Sequence, residues 1–277
     1  MSAPAPAPPH PEPTPEPPVV DAHCHVFTRA MPCTDTAWTR PDYDYAVATY
    51  LDTLDAHGIA FGVVAAASLF GDYNDYTLAA LAAHQRLRAT VMLDPATGPA
   101  ELAALRAAGV RGVRFQLPVA APLPNLAGYA FRRFVRRLAD AGMHLELNLS
   151  GPQLAGMLDG LRDAGVDVVV DHFALLRAEG GMDGEGFRAT LGAIDRGHTW
   201  VKLSAAFRLP DAALPGYAER LLAAAGPERL FWGSDAPFVG FEGRVSYAQT
   251  LATFYRLVPD PRIRRRMSDA ALRFYFF

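Results

Sequence analysis

From Val19 onward the chain alternates eight short apolar runs with eight longer stretches of helical period, and few folds accept that rhythm. The runs are Val19–Cys24, Ala60–Ala67, Ala89–Leu93, Gly112–Gln116, Met143–Leu149, Val166–Asp171, Thr199–Ser204 and Leu230–Gly233. Some are apolar almost throughout, as in Val168-Val169-Val170, the pattern of a strand covered on both faces of a parallel sheet. Between them, Ala46–His57 lines up Val47, Tyr50, Leu51 and Leu54 on one helical face. Asp75–His84, Ala100–Ala108, Gly128–Ala141, Pro152–Ala164, Gly186–Asp195, Ala212–Ala224 and Val245–Val258 complete the helical set. Gly58, Gly109, Gly142 and Gly165 each follow a helix and precede a strand, where a left-handed cap is easiest for glycine. Eight strands alternating with eight helices predict a (β/α)8 TIM barrel. The rival is an open doubly wound sheet, which would carry a glycine-rich phosphate loop after its first strand. This chain has His23-Cys24-His25 there instead. Pro261–Phe277 reads as a further helix, packed on the barrel wall through Leu272, Phe274 and Tyr275.

A barrel takes about 250 residues, so 277 residues, 51% of them hydrophobic, predict one domain over 19–277. Residues Met1–Pro18 are mostly proline and alanine and are expected to form a disordered tail. They lack the charged and then apolar segments of a secretory signal. No apolar run approaches the roughly 20 residues that cross a bilayer, so no membrane partner is expected. The formal net charge is −3 with no basic stripe, which gives nucleic acid no electrostatic purchase. Two cysteines, Cys24 and Cys33, without a CxxC pair, suit a reducing cytoplasm. The sequence leaves room for a homo-oligomer.

Polar residues appear where three apolar strands stop. In Asp21-Ala22-His23-Cys24-His25, residues two apart share a strand face, so His23 and His25 project together. Two such imidazoles can grip a divalent metal or polarise a carbonyl; equally, they can be satisfied polar residues at a strand end. Asp235, in Trp232-Gly233-Ser234-Asp235-Ala236-Pro237, sits where a general base would stand, or caps the following turn. His172 follows Val168-Val169-Val170-Asp171, with Asp171 readable as a cap. If the barrel is right, all three strand ends meet at one rim.

The segments VDAHCHVF, GVRGVRFQ, VVVDHF, WVKLSAAFR and FWGSDAPF, in this order, resemble the amidohydrolase superfamily. They resemble most its branch of pyrone-dicarboxylate lactonases, galactarolactone isomerases and sulfomuconolactone hydrolases. The resemblance runs from about Val19 to the C-terminus. It implies catalytic roles for His23, His25, His172 and Asp235, and a carboxylate-binding role for Arg114 and Arg208, where a guanidinium can pair both oxygens. A rim salt bridge is the alternative for each arginine. The resemblance also has gaps. Asn148 stands where metal-dependent members place a ligand, and Asn is a poor ligand for zinc. Phe238 replaces a histidine, and Leu117-Pro118-Val119-Ala120 lacks a second arginine.

The expectation is therefore a hydrolase that opens a small carboxylated lactone without a cofactor. Asp235 would activate water while His23, His25 and His172 hydrogen-bond to the carbonyl oxygen, with Arg114, Arg208, Asn148 and Ser68 binding substrate. One zinc or manganese ion held by His23, His25, His172 and Asp235 is the alternative. A metal-dependent decarboxylase of aromatic or muconate-like acids, and a non-catalytic barrel that binds carboxylated ligands, also stay open. Tyr73, Asn74, Arg40 and Arg177 are weaker lining candidates. The long loop Thr28–Asp44 suggests a lid or rim segment.

Overall fold

Eight strands pair in chain order into one all-parallel sheet. They are β1 (Val20–Cys24), β2 (Phe61–Val64), β3 (Leu87–Val91), β4 (Val110–Gln116), β5 (His144–Asn148), β6 (Val168–Val170), β7 (Thr199–Leu203) and β8 (Leu230–Trp232). The computed structural model describes residues 15–118, 121–149, 151–174 and 180–277. The helices are α1 (Val47–Ala56), α2 (Asp75–Ala83), α3 (Pro99–Ala107), α4 (Tyr129–Asp140), α5 (Gly151–Gly160), α6 (Glu185–Asp195), α7 (Leu214–Ala225), α8 (Tyr247–Leu257) and α9 (Pro261–Phe276). This is the predicted (β/α)8 TIM barrel. Boundaries differ slightly from the sequence reading: β3 begins at Leu87 rather than Ala89, and α5 stops at Gly160 rather than Ala164. Among the described residues no helix is long and apolar enough to cross a membrane.

The seam between β8 and β1 is closed where the end of β1 meets the residues just past β8. Cys24 bridges Ala236, Asp235 N donates to His23 O (2.8 Å), and His25 N donates to Ala236 O (2.7 Å). The strand ends that carry the site residues are therefore held by the same bonds that complete the cylinder.

The helices pack where their apolar stripes demand. In α4, Phe131, Phe134, Val135 and Leu138 are buried while Arg132 and Arg136 face solvent, the i, i+3, i+4, i+7 pattern. Gly142 follows α4 with φ of 63°, a left-handed turn into β5 that a side chain would strain. Ser246 and Gln249 form a reciprocal capping box that starts α8.

Inside the barrel, α9 does more than lie on the wall. Ala270, Ala271 and Tyr275 join Val20, Ala22, Val63, Val169 and Phe231 in one buried cluster, with Leu272 and Phe274 packed around it. The helix thus forms the floor opposite the catalytic rim. Val19 N donates to Ser268 Oγ (2.6 Å) and Arg111 Nε donates to Tyr275 O (2.7 Å), tying it to β1 and β4. Ahead of β1, Glu16 pairs with Arg265 of α9. The rest of the predicted tail, residues 1–14, lies outside the described residues. At the rim, the 28–44 loop is packed rather than loose: Phe27 and Tyr45 bridge its ends, and Met31, Cys33 and Tyr43 join Leu69, Phe70 and Val239 in a small apolar cluster.

Candidate active site

Register places inward-facing residues of β4 and β5 in rows along the barrel axis. Gly112 stands beside His144, Arg114 beside Glu146, and Gln116 beside Asn148. Gly112 has a steric reason: a Cβ there would meet the His144 ring at 2.5 Å. His144 lies deepest, against Phe274 and Tyr275 of the floor. The middle row carries charge. Lys202 of β7 is fully buried and donates to Glu146 Oε2 (2.5 Å). Arg114, 4% exposed, reaches Glu146 Oε1 (3.1 Å), Asp171 Oδ2 (2.9 Å) and the Ala66 carbonyl (2.7 Å). Buried charges are tolerated when paired this closely. Burial alone would raise the Glu146 and Asp171 carboxyls. Instead Lys202 holds Glu146 down at about 2, and the Lys202 and Arg114 charges hold Asp171 well below its ordinary value. Arg114 is the mirror case: burial works against its charge, but Asp171 and Glu146 raise its pKa overall.

Above this row stand the three histidines and Asp235. His23 Nε2 lies 3.6 Å and His25 Nε2 3.3 Å from Asp235 Oδ1. The His23 ring sits 5.0 Å from that of His25 and 4.8 Å from that of His172. The pairing of β1 with β2 shifts register between Asp21 and Cys24, so Ala22 joins the floor cluster while His23 turns to the site. His25 Nδ1 faces the Ala65 carbonyl (2.8 Å), so it carries hydrogen, and Nε2 is the atom offered to Asp235. His172 Nδ1 pairs with Ser204 Oγ (2.8 Å). Burial, then the Lys202 charge, drives His23 down to about 3; burial drives His172 down to about 4, so both are neutral at ordinary pH. Burial would raise Asp235, but the His25 ring, His172 and Arg208 hold it below its ordinary value, ionised.

The backbone is bent to present these groups. His172 and Asp235 have φ of 53° and 61°, in the left-handed region, as do Ala205 (52°) and Phe238 (68°). Such conformations cost about 1–2 kcal/mol each outside glycine and gather at functional sites.

The remaining candidates distribute as follows. Arg208 donates from Nε to Asp235 Oδ2 (3.2 Å) and from Nη2 to Val239 O (3.0 Å), with its guanidinium 5.1 Å from the ring centres of Phe207 and Phe241. Its side chain is 26% exposed, so it is the accessible arginine of the two. Asn148 donates to Gln116 Oε1 (3.2 Å), and its own buried Oδ1 has no partner among the described residues. Ser68 begins a short 3-10 turn after β2. Asn74 bonds the Met92 and Asp72 carbonyls, and Arg40 the Thr34 carbonyl. Arg177, Val119 and Ala120 lie outside the described residues. The Asp171 carboxylate pairs with Arg114 rather than capping the turn after β6, and in the turn after β8 it is Ser234 Oγ that accepts from Ala236 N. Phe238 packs edge-on against Phe207. Sequence reasoning passed over Lys202, Gln116, Ser204 and Asp21. Asp21 accepts from His23 N, Ser234 N, Ser234 Oγ and Tyr247 OH, pinning β1 to β8; burial raises its carboxyl in spite of these bonds.

His23, His25 and Asp235 offer donor atoms close enough to share one cation, and among the described residues the buried His23 Nε2 has no hydrogen-bond partner. That donor set fits a divalent ion in kind.

The model of an amidohydrolase family matches residues 20–277. The 4-sulfomuconolactone hydrolase of Rhizobium radiobacter is 26% identical, over 89% of this chain and 86% of that one. Two solved structures share the barrel. A probable 2-pyrone-4,6-dicarboxylic acid hydrolase of Acinetobacter baumannii, with citric acid bound, is 25% identical (TM-score 0.87; 94% of this chain, 99% of that). A Pseudomonas putida protein given the same provisional assignment is 32% identical (TM-score 0.83; 94% and 99%).

Proposed function

The chain belongs to the amidohydrolase family, and from that premise we propose that it opens a carboxylated lactone by adding water to the ring carbonyl. The observation that carries this reading is the meeting of Asp235 Oδ1 with His23 Nε2 and His25 Nε2, 3.6 and 3.3 Å away, at the catalytic rim of the barrel. The lactone-directed names of its relatives support the substrate class.

Asp235 and His25 form a pair that holds one proton between Oδ1 and Nε2. Empty, the pair takes a proton from water as the water oxygen attacks the carbonyl; loaded, it returns the proton to the ring oxygen that leaves. His23 and His172 stand over the same space as donors to the carbonyl oxygen as it gains charge. General-base help is worth about 10²–10⁴-fold, and one oxyanion donor about 10²–10³-fold, enough for an activated ester. Arg208 is the handle for the substrate carboxylate, through a charged hydrogen bond. Arg114 is already held by Asp171, Glu146 and Ala66 O, which favours a substrate with one carboxylate at the reacting end over a dicarboxylate. Asn148 and Gln116 line the wall beside it, and Ser68 lies at the rim.

A divalent ion held by His23, His25, His172 and Asp235 would supply water of lowered pKa. We favour the reaction without it, because Asn148 fills the usual ligand position of β5. The test is a screen of pyrone, muconolactone and aldonolactone carboxylates with protein purified without added metal, with and without chelator. Ring opening that survives chelation is expected, and Asp235→Asn should lower kcat by at least about 10²-fold. Release of carbon dioxide from an aromatic acid, or near-normal turnover by Asp235→Asn, overturns the reading. A cytoplasmic location belongs to the same proposal.

A further inference from the structure

We propose that Lys202 is a positioning residue that fixes the tautomer of His23, keeping hydrogen on Nε2 and making the site a hydrogen-bond donor rather than a metal ligand at that position. Lys202 Nζ lies 3.1 Å from His23 Nδ1. An ammonium paired with Glu146 at 2.5 Å has only hydrogens to offer, so Nδ1 must present its lone pair. The competing acceptor is Asp171 Oδ1, 3.3 Å from the same nitrogen. That oxygen has no hydrogen-bond partner among the described residues, and Lys202 Nζ faces it too, at 3.5 Å. A neutral imidazole keeps one hydrogen, and here only Nε2 is left to carry it. The atom so protonated is the one that faces Asp235 and has no hydrogen-bond partner among the described residues.

Two consequences follow from this placement. A donor on Nε2 suits a carbonyl oxygen gaining negative charge; this catalytic consequence rests on the hydrolytic reading above, while the tautomer itself does not. A cation bound at Nε2 would have to displace that hydrogen, since a ring nitrogen coordinates only through its lone pair. Lys202 thus opposes metal binding from the second layer, the reverse of the carboxylate that usually backs a ligating histidine.

The experiment is a long-range proton–nitrogen spectrum of the full chain labelled at histidine, without substrate or metal, with His23 assigned by comparison with His23→Gln. Hydrogen on Nε2 alone is expected in the wild type; hydrogen on Nδ1, alone or in addition, overturns the proposal. In Lys202→Met the hydrogen should move to Nδ1, toward Asp171, and calorimetric titration with zinc should show roughly ten- to a hundredfold tighter binding than the wild type. Lys202→Arg, which keeps the charge and the donor, should retain the wild-type pattern. A folded Lys202→Met that keeps hydrogen on Nε2 removes Lys202 as the cause. Should that variant not fold, the wild-type and Lys202→Arg spectra decide alone. None of these readouts depends on finding a lactone substrate, so failure of the screen and failure of this inference are separable.

Discussion

Gly233, just past β8, lies directly against His23, and adding one carbon there is the sharpest test of the site geometry. A Cβ at Gly233 would meet His23 Cβ at 2.6 Å, His23 N at 2.8 Å and His23 Cα at 3.2 Å. Two of those atoms are backbone, so no side-chain rotation relieves the clash. Carbon atoms settle at about 3.5–4.0 Å, so Gly233→Ala must push β1 from β8 by about 1 Å at His23. That is a large fraction of the 3.6 Å between His23 Nε2 and Asp235 Oδ1. A 1 Å misplacement of a catalytic group costs about 10²-fold in rate, and overpacking a close contact costs about 1–3 kcal/mol of stability. For a domain of this size each kcal/mol is worth about 2–4 °C in Tm. Gly233→Ala is therefore expected to stay folded, lose about 2–12 °C in Tm and lose about a hundredfold in kcat. KM should change less, because the Arg208 handle lies on another element. Steady-state kinetics on the best lactone and a thermal melt measure all three. Gly98→Ala is the control: nothing lies within 4 Å of the added carbon, and φ is −82°. A folded Gly233→Ala enzyme with kcat within twofold of wild type would refute the claim that His23 must be held against Asp235.

Acid should weaken the fold through the two buried histidines. His23 and His172 have folded pKa values of about 3 and about 4 against an ordinary 6.5, so between pH 4 and 6.5 the unfolded chain binds more protons and stability rises with pH. The loss on acidification is roughly 1 kcal/mol per pH unit per histidine, and equal urea midpoints at pH 7 and pH 5 would contradict it. Arg208→Met should raise KM for a carboxylated lactone by about 10–100-fold, the worth of a charged hydrogen bond; an equal rise for an uncharged lactone of the same ring would show that Arg208 does not read the carboxylate. Tyr275→Ala should empty part of the barrel floor and cost about 3–5 kcal/mol, read as a lower urea midpoint, and an unchanged midpoint would mean that α9 is not structural.

The barrel was legible because a strand buried on both faces has no reason to alternate, and Val168-Val169-Val170 does not. His23, His25, His172 and Asp235 could be read because each breaks an apolar run at its end. Lys202 was harder to see. It shares a face of β7 with Trp200 and Ser204, but its partners Glu146 and Asp171 come from other strands, and local pattern carries no record of which strands' middles meet. A charged residue inside a run as apolar as Trp200-Val201-Lys202-Leu203 was the available signal. Arg114 shows the same limit from the other side: its sequence context marks a strand end, but only register shows that Glu146 stands next to it. The floor was read as wall because the helical period of α9 shows which face is apolar, not what it covers.

That floor gives synthesis an order. The strand that bears His23 is made early, yet Val19 bonds to Ser268 and Val20 and Ala22 share a buried cluster with Tyr275. A nascent chain cut short before Pro261 would hold every barrel strand over an open apolar hole. His23 and His25 therefore come into position only once more than two hundred further residues have been added, and ribosome-stalled fragments ending before α9 should be sticky, protease-sensitive and inert.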